Sequence, residues 1–441
     1  MTRAIADAAA IRGLPALSAV GPALPTRLAV IAFLCFAFAY FFSALVRGVT
    51  ATLAADFSAE IGLTAGDLGL LAGAYFIGFA AMQLPLGRAL DRFGPRRVLM
   101  SFIALAVIGC AAFAVARSFV GLTLARALIG MGVSACLMAP LTLFRHRFSD
   151  SAQLRANSWM LMTGSLGMLA STLPVQWLLP TLGWRGMFWL LALLFAVSIA
   201  MIGGWVPSDA PRPVPVARSA GNADAGYAAV FRHPTFQRFA PMGFFHYGGL
   251  VAAQSLWAGP WLSQVAGNTP AQAALGLFWI NLAMLAAFSL WGAWVPRLYA
   301  KGWTAQRLIA LGVPLSLGVL VLAVTLGHRA TAWAWALFCV SSTVVSLSQP
   351  AIGQAFPASL AGRALSAYNL VIFVGIFVLQ WGIGLAIDAF RAAGWSAESS
   401  FQGAFALMAV GCGFAYVWFL QRDDAAQPTK TMHDESTVDN R

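Results

Sequence analysis

In the stretch FFSALVRGVTATL, residues 41–53, Arg47 stands inside an apolar run that begins near Leu28 and meets no acidic residue before Asp56. An arginine near the centre of a segment long enough to cross a membrane costs about 2.5–3.5 kcal/mol on insertion scales, so its charge is a functional signal by default. Tyr40, Ser43, Arg47 and Thr50 follow spacings of three, four and three. On a helix they line one face, and that face should border a polar cavity. Snorkelling of Arg47 to the interface is the competing explanation. A second arginine, Arg126, lies in LARALIGMGVSA, residues 124–135, two turns into its own apolar run. It either holds a ligand or is satisfied by carbonyls and water within the packing. All fifteen acidic residues fall in loops, tails or helix ends. Asp67 and Asp388 are the ones placed to reach Arg47, and Arg126 has no internal counterpart. A guanidinium presents a planar fork that matches carboxylate or phosphate bidentately, so the missing partner is expected to be an anionic ligand.

His246 is the one histidine inside an apolar run. Histidine exchanges protons near neutral pH, which suits coupling to a proton, a hydrogen bond to a ligand, or a bond to a neighbouring helix. Gln254, Asn281, Gln349 and Gln380 are further polar residues in such runs, serving either the cavity or interhelical hydrogen bonding.

These residues sit on elements that composition identifies. The 441 residues are 60% hydrophobic and 10% charged, with mean hydropathy +0.77. No soluble globular domain has that balance. Twelve apolar runs near the length that crosses a bilayer as helix cover residues 28–50, 68–90, 98–115, 119–143, 157–179, 186–206, 239–262, 274–295, 308–326, 332–356, 365–387 and 401–419. The net charge of +12 is explained by its placement, and no nucleic-acid partner is needed to account for it. With both termini on one side, Arg117, Arg185, Arg329 and Arg391 fall opposite, Arg47 and Arg126 fall inside runs, and the other 21 of the 27 basic residues share the side of the termini. Positive charge marks the cytoplasmic face. The excess of arginine over lysine, with abundant Ala and Gly, points to a bacterial source and so to an inner (plasma) membrane protein. A removable signal peptide is not expected, because the first run is long and lacks a small-residue cleavage site. The five cysteines lie singly inside apolar runs, and no metal, redox, Walker or dinucleotide motif occurs, so neither cofactor nor metal is expected.

The longest polar interruption divides the chain into a tail (1–26), a six-crossing half (27–206), a linker (207–237), a second six-crossing half (238–421) and a polar tail (422–441) expected to be disordered. The halves carry matching residues in the same order. Gly87 and Arg92 correspond to Gly292 and Arg297, Arg155-Ala156-x-Ser158 to Arg363-Ala364-x-Ser366, and Gly183-Trp184 to Gly394-Trp395.

The string GRALDRFGPRR, residues 87–97, joins the second and third runs. Its Gly87, Asp91, Arg92, Gly94, Arg96 and Arg97 resemble the loop signature of the major facilitator superfamily, with Pro95 departing at a position usually basic. Arg126, Gly130 and Gly132 resemble that family's pattern in the fourth helix. The resemblance implies an all-α membrane protein of twelve transmembrane helices in two pseudo-symmetric six-helix bundles. It also implies a gating role for the 87–97 loop, with Asp91 facing the start of the eleventh helix in one of two alternating states. A carboxylate there gains about 0.3–1 kcal/mol from the helix dipole. An arginine in the first helix is similar to the organic-anion branches, the anion:cation symporters and organophosphate antiporters.

The reading that follows is a secondary active transporter, not an enzyme. It would move a small organic anion across the lipid bilayer by alternating access, with a proton or cation as coupling partner. Arg47, Arg126, Tyr40, Ser43, Thr50, His246, Gln254, Asn281 and Gln380 form the expected substrate site. A proton-coupled drug or metabolite exporter is the alternative, and it predicts an acidic residue in the cavity. A membrane sensor or polytopic enzyme would need an added soluble domain or a reactive cluster, and the sequence offers neither.

Overall fold

The computed structural model describes residues 24–208 and 223–422. The tail up to residue 23, the proline-rich start of the linker and the tail beyond Arg422, including its expected disorder, lie outside the described residues. Among the described residues the chain is helical, with no strand. The elements are α1 (Thr26–Ile61), α2 (Ala65–Phe93), α3 (Pro95–Val115), α4 (Phe119–Arg147), α5 (Asp150–Ala170) and α6 (Leu173–Trp205). After a short helix, Ala223–Arg232, come α7 (234–265), α8 (Pro270–Ala300), α9 (Ala305–Arg329), α10 (Ala332–Ala355), α11 (Ala358–Ala392) and α12 (Ala397–Gln421).

Helix ends follow local chemistry. Thr64 and Asp67 form a reciprocal capping box at the start of α2, and Thr269 with Gln272 does the same for α8. Gly62 (φ 72°) ends α1, and Gly94 (φ 80°) ends α2 immediately before Pro95 opens α3. Positive φ is cheap only for glycine, and proline at N1 forfeits an amide that has no intrahelical partner anyway. The repeated Gly-Trp pair has a structural meaning: Gly183 (φ 62°) and Gly394 (φ 85°) both turn the chain in the left-handed region, each immediately before its tryptophan.

Among the described residues, ten helices are long and apolar enough to cross a membrane. The other two expected crossings are interrupted, for identifiable reasons. The fifth is split between α5 and the first residues of α6. There Ser171 and Thr172 donate their hydroxyls back to the carbonyls of Met168 and Leu169, each at 2.6 Å, and Pro174 lacks an amide hydrogen. Thr52 of α1 then donates to the Ser171 carbonyl at 2.7 Å. The seventh, α7, alternates α turns with π turns at Met242–Tyr247, Ala253–Trp257 and Trp261–Val265, with Pro241 and Pro260 breaking the ladder. Such π segments often accompany functional sites.

Large apolar side chains such as Leu124, Trp177, Leu311 and Val410 stay exposed on the outside, as a surface facing lipid requires. Inside, small residues let backbones touch. A Cβ at Gly130 of α4 would collide with the Tyr75 carbonyl of α2, and one at Gly132 would strike Ala106 of α3. Gly87 has nothing within 4 Å of its Cβ position. The close packing of the first half rests on glycines of several helices, Gly78, Gly109 and Gly167 besides Gly130 and Gly132.

Candidate functional site

Arg126 enters the interior from the second turn of α4, where the Gly78 and Gly130 contacts press α4 onto α2. Its side chain is 1% exposed. Nη2 donates to the Thr50 hydroxyl at 2.5 Å and to the Arg47 carbonyl at 3.4 Å, and the guanidinium lies 5.1 Å from the Tyr75 ring centroid. Nε and Nη1 have no partner. The charge is thus held by one hydroxyl, one long carbonyl contact and one aromatic face, with two of the three guanidinium nitrogens unused. A buried charged donor without an acceptor carries a full desolvation penalty.

Arg47 is partly accessible although it lies mid-helix in α1. Its charge acts on the phenols of Tyr40, Tyr75 and Tyr247. Tyr40 and Tyr247 are partly accessible too, and Tyr75 is buried. Tyr40 also rests on Gly164 of α5. Asp67 and Asp388 do not reach Arg47. The Asp67 carboxylate accepts from the Thr64 amide, and Asp388 accepts from the Ala65 and Gly66 amides. Among the described residues, no ion pair engages Arg47 or Arg126.

The second half presents amides. Gln254, on a π turn of α7 that packs against α1, donates to Asn281 Oδ1 at 2.9 Å, and Asn281 donates to the Leu277 carbonyl at 2.8 Å. Gln349 donates to Asn369 at 3.0 Å. Six of the expected site residues, Ser43, Thr50, Arg126, His246, Asn281 and Gln380, are buried. Ser43 is buried against Cys136. His246 shares a 2.8 Å hydrogen bond with Ser316 of α9 and leaves Nδ1 buried without a partner. Gln380, fully buried, donates to Ser255 at 3.0 Å, while its backbone carbonyl accepts from Trp257 Nε1 at 3.0 Å. Tyr75 and Tyr247 were not among the expected residues, because an aromatic residue in an apolar run carries no signal of its own. Only the inter-helix geometry places Tyr75 under Arg126 and Tyr247 within the field of Arg47.

In the 87–97 loop, Asp91 is exposed, and among the described residues no hydrogen bond or ion pair engages it. Arg92 lies over Phe93, 5.0 Å from the ring centroid. Arg96 donates to the carbonyls of Ile202 and Gly203 and so ties α3 to the end of α6. Arg97 is exposed on the same surface. No group of three or more metal-ligating side chains occurs among the described residues.

The sequence profile of the Major Facilitator Superfamily matches residues 36–380. The chain is 24% identical over 323 residues to the "Inner membrane transport protein YajR" of Escherichia coli (strain K12), a match covering 70% of this chain and 67% of that one. It is 30% identical over 148 residues to the "3-(3-hydroxy-phenyl)propionate transporter" of the same organism, over about a third of either chain (33% and 34%). In fold it resembles the crystal structure of a bacterial homologue of the human lysosomal transporter Spinster in an inward-facing and unoccupied conformation. The TM-score is 0.73 at 14% identity, covering 90% of this chain and 98% of that one. The profile spans most of the chain and carries with it the membrane helices, the transporter class and the absence of enzymatic function. This chain belongs to the Major Facilitator Superfamily.

Proposed function

We propose that the protein moves a small organic anion, a carboxylate or similar, by alternating access, with Arg47 and Arg126 binding the negative group. One observation carries this reading: Arg126 is buried with two of its nitrogens unpartnered, beside the backbone of a second arginine, Arg47, and among the described residues no ion pair engages either. An empty site of that composition is positive, and an anion completes it. The halves 27–206 and 238–421 act as the two bundles, both termini face the cytoplasm, and the membrane is the bacterial inner membrane. The partial similarity to a phenylpropionate transporter supports an organic acid as cargo. Export of cationic drugs would call for a carboxylate in the cavity, and the acidic residues lie at helix ends and in loops instead.

The test is the thermal stability of the detergent-purified protein against panels of organic anions, cations and neutral apolar compounds, with and without Arg47→Ala. A ligand at 100 times its dissociation constant adds about 2.7 kcal/mol. Stabilisation by an anion, lost in the variant, is expected. Stabilisation by cations or neutral compounds alone, indifferent to Arg47, would overturn the assignment.

A further inference from the structure

We propose that Asp388 is a latch that holds the two halves together at the end of the molecule opposite the 87–97 loop. The first amides of a helix have no acceptor within the helix. At the start of α2 the capping box uses two of them: Asp67 takes the Thr64 amide, and the Thr64 hydroxyl takes the Asp67 amide, each at 3.1 Å. The Ala65 and Gly66 amides are left over. Both are taken by one carboxylate from the other half, with Asp388 Oδ1 accepting from Ala65 at 3.1 Å and Oδ2 from Gly66 at 2.7 Å. Asp388 lies 323 residues from Ala65, on the last turns of α11.

The seam beneath this contact is built for closure. A Cβ at Gly384 would strike the Ala65 carbonyl, and one at Gly69 would strike the Gln380 carbonyl, so α2 and α11 touch backbone to backbone. Ala51, Ala54, Leu68 and Ala72 of the first half are buried in an apolar cluster otherwise formed by the second half. At the other end Gly87, Gly292 and Gly362 have open space beside them, and Asp91 is exposed. A carboxylate of one half on the amides of the other is a contact that can exist in one of two alternating states and break in the other. The carboxylate also borders a cleft of about 230 Å³, shared with Ser58, Thr64, Gln264 and Arg391, and Arg391 spends its hydrogen bond on Gln264 at 2.9 Å. Among the described residues no ion pair engages Asp388, whose carboxylate is given to the α2 amides.

Asp388→Asn keeps the shape but removes the charge and one acceptor oxygen. Charge-assisted bonds at a helix N-terminus are strong enough that the closed form should lose about tenfold in population. The reporter is Ala72→Cys, which is buried behind the seam, probed with a hydrophilic maleimide on detergent-purified protein. The five native cysteines are all buried and give little background. Asp388→Asn should raise the labelling rate about tenfold. Gly384→Val, which wedges the seam apart, should raise it through sterics alone, and Asp388→Glu should restore slow labelling. If Asp388→Asn lowers the melting temperature but leaves the labelling rate unchanged while Gly384→Val raises it, Asp388 is only a helix cap and the latch is refuted. The assay needs no substrate, so it stands apart from the identity of the cargo.

Discussion

Replacing Arg126 by methionine separates a ligand-binding arginine from a structural one. The substitution removes a charge that costs about 2.5–3.5 kcal/mol to hold near the centre of a membrane helix. It forfeits one charge-assisted hydrogen bond to Thr50, about 1.5–3 kcal/mol, and the ring contact with Tyr75, about 0.5–1 kcal/mol. The freed Thr50 hydroxyl can turn to a carbonyl of its own helix. Gain and loss cancel to within about 1.5 kcal/mol by these magnitudes, so Arg126→Met should leave the unliganded protein about as stable as the parent. The stabilisation of about 2.7 kcal/mol from a hundredfold excess of anion over its dissociation constant should vanish. Thermal unfolding of purified parent and variant, with and without the anion, reads both quantities. If the unliganded variant loses about 3–5 kcal/mol, the cost of breaking a satisfied buried pair, and the anion still stabilises what remains, Arg126 is a packing residue and the reasoning fails.

Other outcomes follow from the packing. Gly130→Leu drives a side chain into the Tyr75 carbonyl and should lower stability by about 1–3 kcal/mol or prevent accumulation of folded protein, whereas Gly87→Ala, with empty space around it, should melt within a degree or two of the parent. Glu60 accepts from Trp184 Nε1 and pairs with Arg185 at 2.7 Å, but the pair is largely exposed. Glu60→Gln should therefore cost less than about 1 kcal/mol, and high salt should erase the difference in denaturation. The native cysteines should resist a hydrophilic maleimide until the protein unfolds, and rapid labelling of the folded protein would contradict their burial.

By itself the sequence determined the class of molecule, because hydropathy and run length are local quantities that a bilayer reads directly. It placed Arg47 and Thr50 on one face of α1, since the spacing of a helix fixes which residues share a side. It could not decide which polar residues face open space. Ser43, His246 and Gln380 look like Tyr40 in sequence, yet packing buries the first three in bonds to other helices, because their orientation depends on helices more than 60 residues away. The breaks in α5 and α7 were likewise hidden, because an apolar run does not reveal where hydroxyls and prolines will win over the helical ladder. Only the tertiary structure brought Arg126 to the Thr50 hydroxyl and Asp388 to the amides of α2. Both contacts join residues far apart in the chain, and whether a charge is paired, capped or left waiting depends on which distant backbone lies within three ångströms of it.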